Sequence, residues 1–118
     1  NGGGSIINMS TVVALMAFPG RDAYTAAKGG IAAITRSTAV EYGKDNIRVN
    51  AIAPAVILTE RVKKLFEDSN VRAKLESIHV LGFGEAIDIA QMAVYLASDE
   101  SRLVTGQVIP VDSGLTVK

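Results

Sequence analysis

The amino-acid sequence predicts a three-layer α/β fold, in which helices cover both faces of a sheet of parallel strands. The first observation is the residue pattern, in which short, β-branched apolar runs alternate with longer segments whose apolar residues recur every three or four positions. The second is order, since the segments run strand, helix, strand, helices, strand. Parallel strands joined by right-handed crossovers produce this order.

Three segments read as the strands of that sheet. "SIINM" at 5–9 follows a run of glycines, and its β-branched, mostly apolar composition is typical of a buried interior strand. "IRVNAIA" at 47–53 is a second strand, which ends at Pro54. "GQVIPVD" at 106–112 is the last, and because Pro110 has no N–H to donate, we expect this strand at an edge of the sheet.

The segments between the strands show the spacing and the end signals of helices. The apolar positions predict a helix over 22–42, and Gly43 stands where a helix commonly stops. Thr59 can cap a second helix that runs to about Phe66, and 71–78 reads as another short helix. A last helix is predicted to bury most of its circumference, on the basis of Ile87, Ala90, Met92, Val94 and Leu96.

The composition limits the partners that the chain is expected to bind. Twelve basic and twelve acidic side chains cancel, so no strong field draws the chain to nucleic acid or to an anionic membrane surface. The longest apolar run, "VVALMAF", is far too short to span a bilayer, and no secretory signal pattern opens the sequence. The absence of cysteine excludes a thiolate metal site and fits a reducing compartment, so we expect no metal and a cytoplasmic location. Since the sequence begins with Asn1 and not with methionine, we expect it to be a piece of a longer polypeptide.

Three polar segments are predicted to meet at one rim of the sheet. In open α/β sheets the ligand crevice lies beyond the carboxyl ends of the strands. Ser10 and Thr11 follow the first strand, Tyr24 opens the next helix, and "PAVILT" at 54–59 leaves the second strand. These side chains are therefore the first place to look for chemistry.

Tyr24 and Lys28 stand four residues apart in "AYTAAK", so they are neighbours on a helix. Taken alone, such a pair favours ordinary helix structure over catalysis, because two-residue matches are common. A phenol ionises near ~10, and an ammonium within ~4 to 6 Å favours the phenolate, which can then exchange a proton with an alcohol or carbonyl oxygen. A hydroxyl from Thr11 or Ser10 would hold that oxygen. No side chain is a good hydride donor, so a redox reaction would require a nicotinamide.

Nearly the whole sequence resembles the short-chain dehydrogenases/reductases, specifically their carboxyl-terminal half. The most specific feature is the tyrosine–lysine motif with a hydroxyl residue thirteen positions upstream of the tyrosine. The resemblance implies the carboxyl-terminal part of a doubly wound Rossmann-type parallel sheet, so that 1–118 would be a partial domain. The matching stretches are "GGGSIINMST", "PGRDAYTAAKGGI", "EYGKDNIRVNAIAPAVILT", "EAIDIAQMAVYLASDESRLVTGQ" and "VDSG".

The resemblance also implies roles for the catalytic residues. Tyr24 matches the general acid/base, and Lys28 matches the group that favours the phenolate and holds the nicotinamide ribose hydroxyls. Thr11 stands where the family normally has serine, and its methyl group limits its rotamers, so Ser10 is a possible substitute.

The cofactor contacts implied by the resemblance lie in "PAVILT", which begins at Pro54. Ile57, through its backbone, and Thr59, through its hydroxyl, match the contacts to the nicotinamide carboxamide. The family's usual Pro-Gly is Pro-Ala here, so Ala55 would be strained if it required a positive φ. Gly2 to Gly4 precede a strand, so they do not form the glycine-rich turn between a strand and a helix that binds a pyrophosphate. The cofactor is expected to be NAD or NADP, and the sequence does not distinguish between them.

Two hypotheses about function remain open at this point. The first is an NAD(P)-dependent oxidoreductase acting on a small alcohol or ketone, with this chain as its proton-transfer and substrate half. The second is a non-catalytic fragment that associates through the alanine-rich helix over 22–42. A homo-oligomer is expected from the resemblance alone. The loop "HVLGFGEAIDIA" lacks an arginine and two prolines often found in the family, and its His79, the only histidine, is expected to be a solvated loop residue.

Overall fold

The computed structural model describes residues 2–118, and its elements follow the predicted order. Short 3-10 turns lie between several of the helices and strands. In chain order the main elements are β1 (Gly4–Met9), α1 (Asp22–Tyr42), β2 (Ile47–Pro54), α2 (Glu60–Leu65), α3 (Ser69–Ile78), α4 (Ala86–Ala97) and β3 (Val108–Val111).

The three strands form one parallel sheet in the order β1-β2-β3. The central strand β2 carries the core, since Val49, Ala51, Ile52 and Ala53 are all buried. The third strand lies at an edge with Pro110 opposite Ala53, as its missing N–H predicted. The prediction of a parallel α/β sheet is therefore confirmed.

Two polar side chains of β1 show that helices lie on both faces of the sheet. The Ser5 hydroxyl donates to the Leu96 carbonyl of α4 at 2.7 Å, and the Asn8 amide donates to the Thr35 hydroxyl of α1 at 2.9 Å. Because residues three apart on a strand point to opposite faces, α1 and α4 lie on opposite sides of the sheet. The three-layer prediction is confirmed by this arrangement.

The first strand has the composition of an interior strand, which the family pairs with a preceding neighbour, and without that neighbour it is expected to form an open apolar edge. In the described sheet β1 lies at an edge and none of its residues is buried, as this expectation requires. One prediction about burial was wrong. Helix α4 was expected to bury most of its circumference, yet Leu96 is its one buried residue, and Ile87 and Val94 are 56% and 69% exposed. The physical reason is that a helix packed on one face of a sheet is covered by the sheet on that side alone.

The ends of the helices follow from local capping. Helix α1 has the predicted bounds, but the left-handed residue that turns the chain afterwards is Asn46, with φ 58°, and not Gly43. Thr59 caps α2 by accepting from the Val62 N–H, as predicted. Helix α3 begins earlier than predicted because the Asp68 carboxylate caps it. Within residues 2–118 no helix is both long and apolar enough to cross a membrane.

Candidate active site

A cleft of about 960 Å³ opens beyond the carboxyl ends of β1 and β2. Thr11, Tyr24, Ile57 and Thr59 all line it, although they come from three separate segments of the chain. Helices α2 and α3 supply the opposite wall. The structure thus brings together most of the side chains that the strand-end rule selected.

Tyr24 and Lys28 lie on one side of the first two turns of α1. The Lys28 Nζ is 6.0 Å from the centroid of the Tyr24 ring, and it donates a hydrogen bond to the Met9 carbonyl at the end of β1 at 3.1 Å. The Tyr24 side chain is half exposed. The ammonium is therefore anchored to the sheet while the phenol stays accessible from the cleft.

The two hydroxyls that the sequence left as alternatives have different surroundings. Ser10 is buried and donates to the Lys28 carbonyl at 3.0 Å, so its hydroxyl ties α1 to the end of β1. Thr11 lines the cleft and donates to the Pro54 carbonyl at 3.3 Å. The structure therefore brings Thr11, and not Ser10, to the cleft that Tyr24 lines.

The backbone of the loop 55–59 leaves one N–H available at the cleft. The Val56 N–H is bound by the His79 ring, the Val56 carbonyl accepts from Gly84, and the Leu58 N–H donates to the Gly84 carbonyl. Within residues 2–118 the Ile57 N–H has no acceptor. An unpaired donor in a loop whose other N–H groups are all paired is a ready contact for a ligand oxygen.

The other residues of "PAVILT" have supporting positions. Pro54 does not line the cleft, and its carbonyl accepts from the Thr11 hydroxyl. The Thr59 oxygen caps α2, which leaves its hydroxyl hydrogen available to donate. Ala55 has no positive φ, so replacement of the family's glycine costs no backbone strain.

The walls of the cleft include residues that the sequence analysis missed. Arg21 precedes Tyr24 by three residues, and this helical spacing was the signal that could have found it. Two further charged residues line the cleft, namely Arg61 in α2 and Asp68 at the N-cap of α3. Apart from His79, the remaining lining residues are apolar, namely Val12, Val13, Phe18, Ala55, Val56, Val62, Leu65, Phe66, Val71, Leu75, Ile78 and Leu115.

His79 is not the solvated loop residue that the sequence predicted. It is 5% exposed, and it lines both the main cleft and a neighbouring cavity of about 310 Å³. The prediction failed because the ring is covered by contacts from distant segments, including an edge-on contact with Phe83. In the part of the chain that the structure describes, no group of three or more histidine or carboxylate side chains is arranged to hold a metal ion.

The turn after β3 is held by a carboxylate. Asp112 accepts hydrogen bonds from the backbone N–H groups of Gly114 and Thr116 and from the Thr116 hydroxyl. Burial acts to raise the pKa of Asp112, but these hydrogen bonds outweigh it and hold the pKa below its ordinary value. Ser113, in the same turn, has a left-handed backbone with φ 54°.

The parallel sheet, its flanking helices and the cleft at the strand ends define a Rossmann-type α/β domain. Residues 1–116 match the family described as enoyl-(acyl carrier protein) reductase. The 3-oxoacyl-(acyl-carrier-protein) reductase FabG of Thermotoga maritima is 45% identical over 114 residues, which make up 97% of this chain and 46% of the relative.

Solved structures give the same result. A 4-hydroxyisoleucine dehydrogenase complexed with NADH has a TM-score of 0.92 and 38% identity, over 97% of this chain and 47% of that one. A protein from Agrobacterium tumefaciens with bound NADP has a TM-score of 0.91 and 32% identity, over 98% of this chain and 48% of that one. The chain belongs to the short-chain dehydrogenase/reductase family. It spans about half the length of the relatives that it matches.

Proposed function

We propose that this chain supplies the proton-transfer and substrate-binding half of an NAD(P)-dependent oxidoreductase that interconverts an alcohol and its ketone. The observation that carries the proposal is that Tyr24, Thr11 and the unpaired Ile57 N–H belong to one cleft. The similarity to reductases and dehydrogenases supports the same reaction class.

In this proposal Tyr24 is the general acid/base. During reduction its phenol gives a proton to the carbonyl oxygen of the substrate, and the Lys28 ammonium stabilises the phenolate that remains. During oxidation the phenolate takes the proton from the alcohol. The hydroxyl of Thr11 turns from the Pro54 carbonyl toward the substrate oxygen and holds it beside the phenol, which is the orientation that proton transfer requires.

The residues at the cleft fit a nicotinamide cofactor. The Ile57 N–H and the Thr59 hydroxyl are donors available to the carboxamide, and Lys28 uses only one of its three N–H groups on Met9, so two remain for ribose hydroxyls. When bound, the nicotinamide supplies or accepts the hydride, for which the protein has no side chain. Relatives bind NADH or NADP, so the proposal covers both cofactors.

The walls of the cleft suit a small alcohol or ketone that has an apolar part. Leu65 and Val71 are 60% and 41% exposed, and both line the cleft. Burying such surface against a substrate is favourable by roughly 25 cal/mol per Å². We therefore propose that α2 and α3 contact the apolar part of the substrate while Tyr24 and Thr11 hold its oxygen.

The proposal is tested by Tyr24→Phe in the complete gene product that carries these residues. Removal of the phenol oxygen is expected to lower the turnover of NAD(P)H with ketones by about 10² to 10⁴, the usual range for a lost general acid/base. Because Tyr24 is half exposed, the thermal unfolding midpoint should hardly change. A Tyr24→Phe enzyme with nearly normal turnover would exclude the acid/base role.

A further inference from the structure

The ring of His79 links two parts of the protein through hydrogen bonds of opposite sense. Its Nδ1 is 2.6 Å from the Leu75 carbonyl of α3, and its Nε2 is 3.4 Å from the Val56 backbone nitrogen. A carbonyl can only accept and a backbone N–H can only donate. The two contacts together require the tautomer that carries its hydrogen on Nδ1 and an acceptor lone pair on Nε2.

Backbone hydrogen bonds of His79 and of the two residues that follow it fix the position of this ring. The His79 N–H caps α3 by donating to Glu76 at 3.2 Å, and the N–H of Val80 donates to the Ser113 carbonyl at 2.7 Å. The Ser113 hydroxyl accepts from the next N–H, that of Leu81. A side chain held by its neighbours in this way can position another group, because its own orientation is already determined.

Aromatic packing restricts the ring further. The Phe83 ring meets the His79 ring edge-on with centroids 5.3 Å apart, and it stacks on Phe66 at 4.8 Å. Phe66 follows the last residue of α2. The wall formed by α2 and α3 is thus connected to the loop 55–59 through one buried histidine.

The hydrogen bond from Val56 to His79 fixes the peptide that precedes the available donor. Gly84 fixes the next peptide by donating to the Val56 carbonyl at 3.1 Å, and that peptide carries the Ile57 N–H. Two successive peptide planes are therefore held, one by His79 and one by Gly84. Together they set the direction in which the Ile57 N–H points.

We propose that His79 is a positioning residue that orients the Ile57 N–H for the nicotinamide carboxamide and couples this donor to the α2–α3 wall. This inference rests on the proposed function, since it requires a nicotinamide at Ile57. Loss of the acceptor at Nε2 leaves the partly buried Val56 N–H unpaired and frees the loop, so the KM for the cofactor should rise roughly tenfold. The kcat should change little, because the described hydrogen bonds of the His79 ring go to Leu75 and Val56 and not to Tyr24 or Thr11.

Two substitutions of similar size separate the two hydrogen bonds. In His79→Gln the side-chain oxygen reaches the position of Nε2 and can still accept from Val56. In His79→Asn the shorter amide reaches the position of Nδ1 and can donate to Leu75, but it cannot reach Val56. We expect His79→Asn to raise the cofactor KM about tenfold and His79→Gln to restore it to within about threefold of the wild type.

Both measurements use the complete gene product, and hydrogen exchange of its Val56 amide provides a second readout that needs no turnover. The Val56 amide should exchange faster in His79→Asn than in His79→Gln, while amides of β2 keep their protection. Equal cofactor KM values in the two variants, or unchanged exchange at Val56 in His79→Asn, would overturn the proposal. A third outcome is that exchange at Val56 differs between the two variants as expected, but the wild-type protein shows no NAD(P)-dependent turnover. That outcome would refute the proposed function and, with it, the cofactor role of His79.

Discussion

At the scale of single residues, the hydroxyl of Thr11 is the group whose role the geometry makes testable. Thr11→Val keeps the branched shape and removes the hydroxyl, so we expect turnover to fall by roughly 10² to 10³, as for loss of one donor that holds a reacting oxygen. Thr11→Ser keeps the hydroxyl and should retain activity within about tenfold. Steady-state rates with a nicotinamide cofactor and a ketone measure both effects.

The neighbouring Ser10 provides the matched control. Its buried hydroxyl donates to the Lys28 carbonyl and does not line the cleft. Ser10→Ala should therefore destabilise the fold by about 1 kcal/mol, with a much smaller effect on turnover than Thr11→Val. A larger loss of turnover in Ser10→Ala than in Thr11→Val would reverse the assignment of the two hydroxyls.

At the scale of elements, the turn after β3 depends on the charged form of Asp112. Asp112→Asn replaces one accepting oxygen with a donor, which would face donors from Gly114 or Thr116. We expect the free energy of unfolding to fall by about 1 to 3 kcal/mol at neutral pH. Chemical denaturation of both proteins measures the difference.

The same carboxylate gives that difference a defined pH dependence. The pKa of Asp112 is lower in the folded protein than its ordinary value of 3.8, so its stabilisation is fully present above that value and is lost as the pH falls through the folded pKa. The stability difference between wild type and Asp112→Asn should shrink in that acidic range. Asp45→Asn is the control, because Asp45 is exposed and its side chain makes no hydrogen bond or ion pair with residues 2–118.

At the scale of the whole molecule, the most consequential feature is apolar surface that the three layers leave uncovered. In β1, Ile6 and Met9 are 45% and 44% exposed on an edge strand. In α1, Ile34 and Val40 are 56% and 86% exposed. Edge strands and apolar helix faces of this kind are sites of association with other chains.

We therefore predict that the isolated 118-residue chain self-associates through the β1 edge or through α1. Sedimentation should show species larger than a monomer, and Ile6→Lys or Val40→Lys should reduce association if the altered surface is the one used. The homo-oligomer that the resemblance implies stays a prediction until this measurement, and a cytoplasmic location likewise stays a prediction. A monomer at all concentrations would contradict the prediction of association.

A cofactor titration of the isolated chain tests whether these residues, without a pyrophosphate-binding turn, can bind NAD(P). Within residues 2–118 no glycine-rich turn lies between a strand and a helix, which is where a pyrophosphate binds. We expect no dehydrogenase turnover and no tight NAD(P) binding by this chain alone. Binding at micromolar concentration would show that the residues at the carboxamide and ribose contribute more than we propose.

Sequence reasoning was most successful where a structure depends on neighbours along the chain. The bounds of α1 and the Thr59 cap follow from spacing and from hydrogen bonds within a few residues. The edge position of β3 follows from the missing N–H of Pro110. The sequence also located the cleft, because the carboxyl ends of parallel strands meet at one rim.

The sequence by itself thus determined the order of the elements, which follows from local periodicity, and the parallel sheet, which follows from that order. It also determined the four-residue spacing that makes Tyr24 and Lys28 neighbours on a helix. Only the tertiary structure decided that Thr11 lines the cleft while Ser10 is buried, although the two residues are adjacent and carry the same group. It also decided that His79 is buried between Leu75 and Val56. The physical reason is that burial and hydrogen-bond partners depend on which distant segments pack together, and this information is absent from the spacing of residues along one segment.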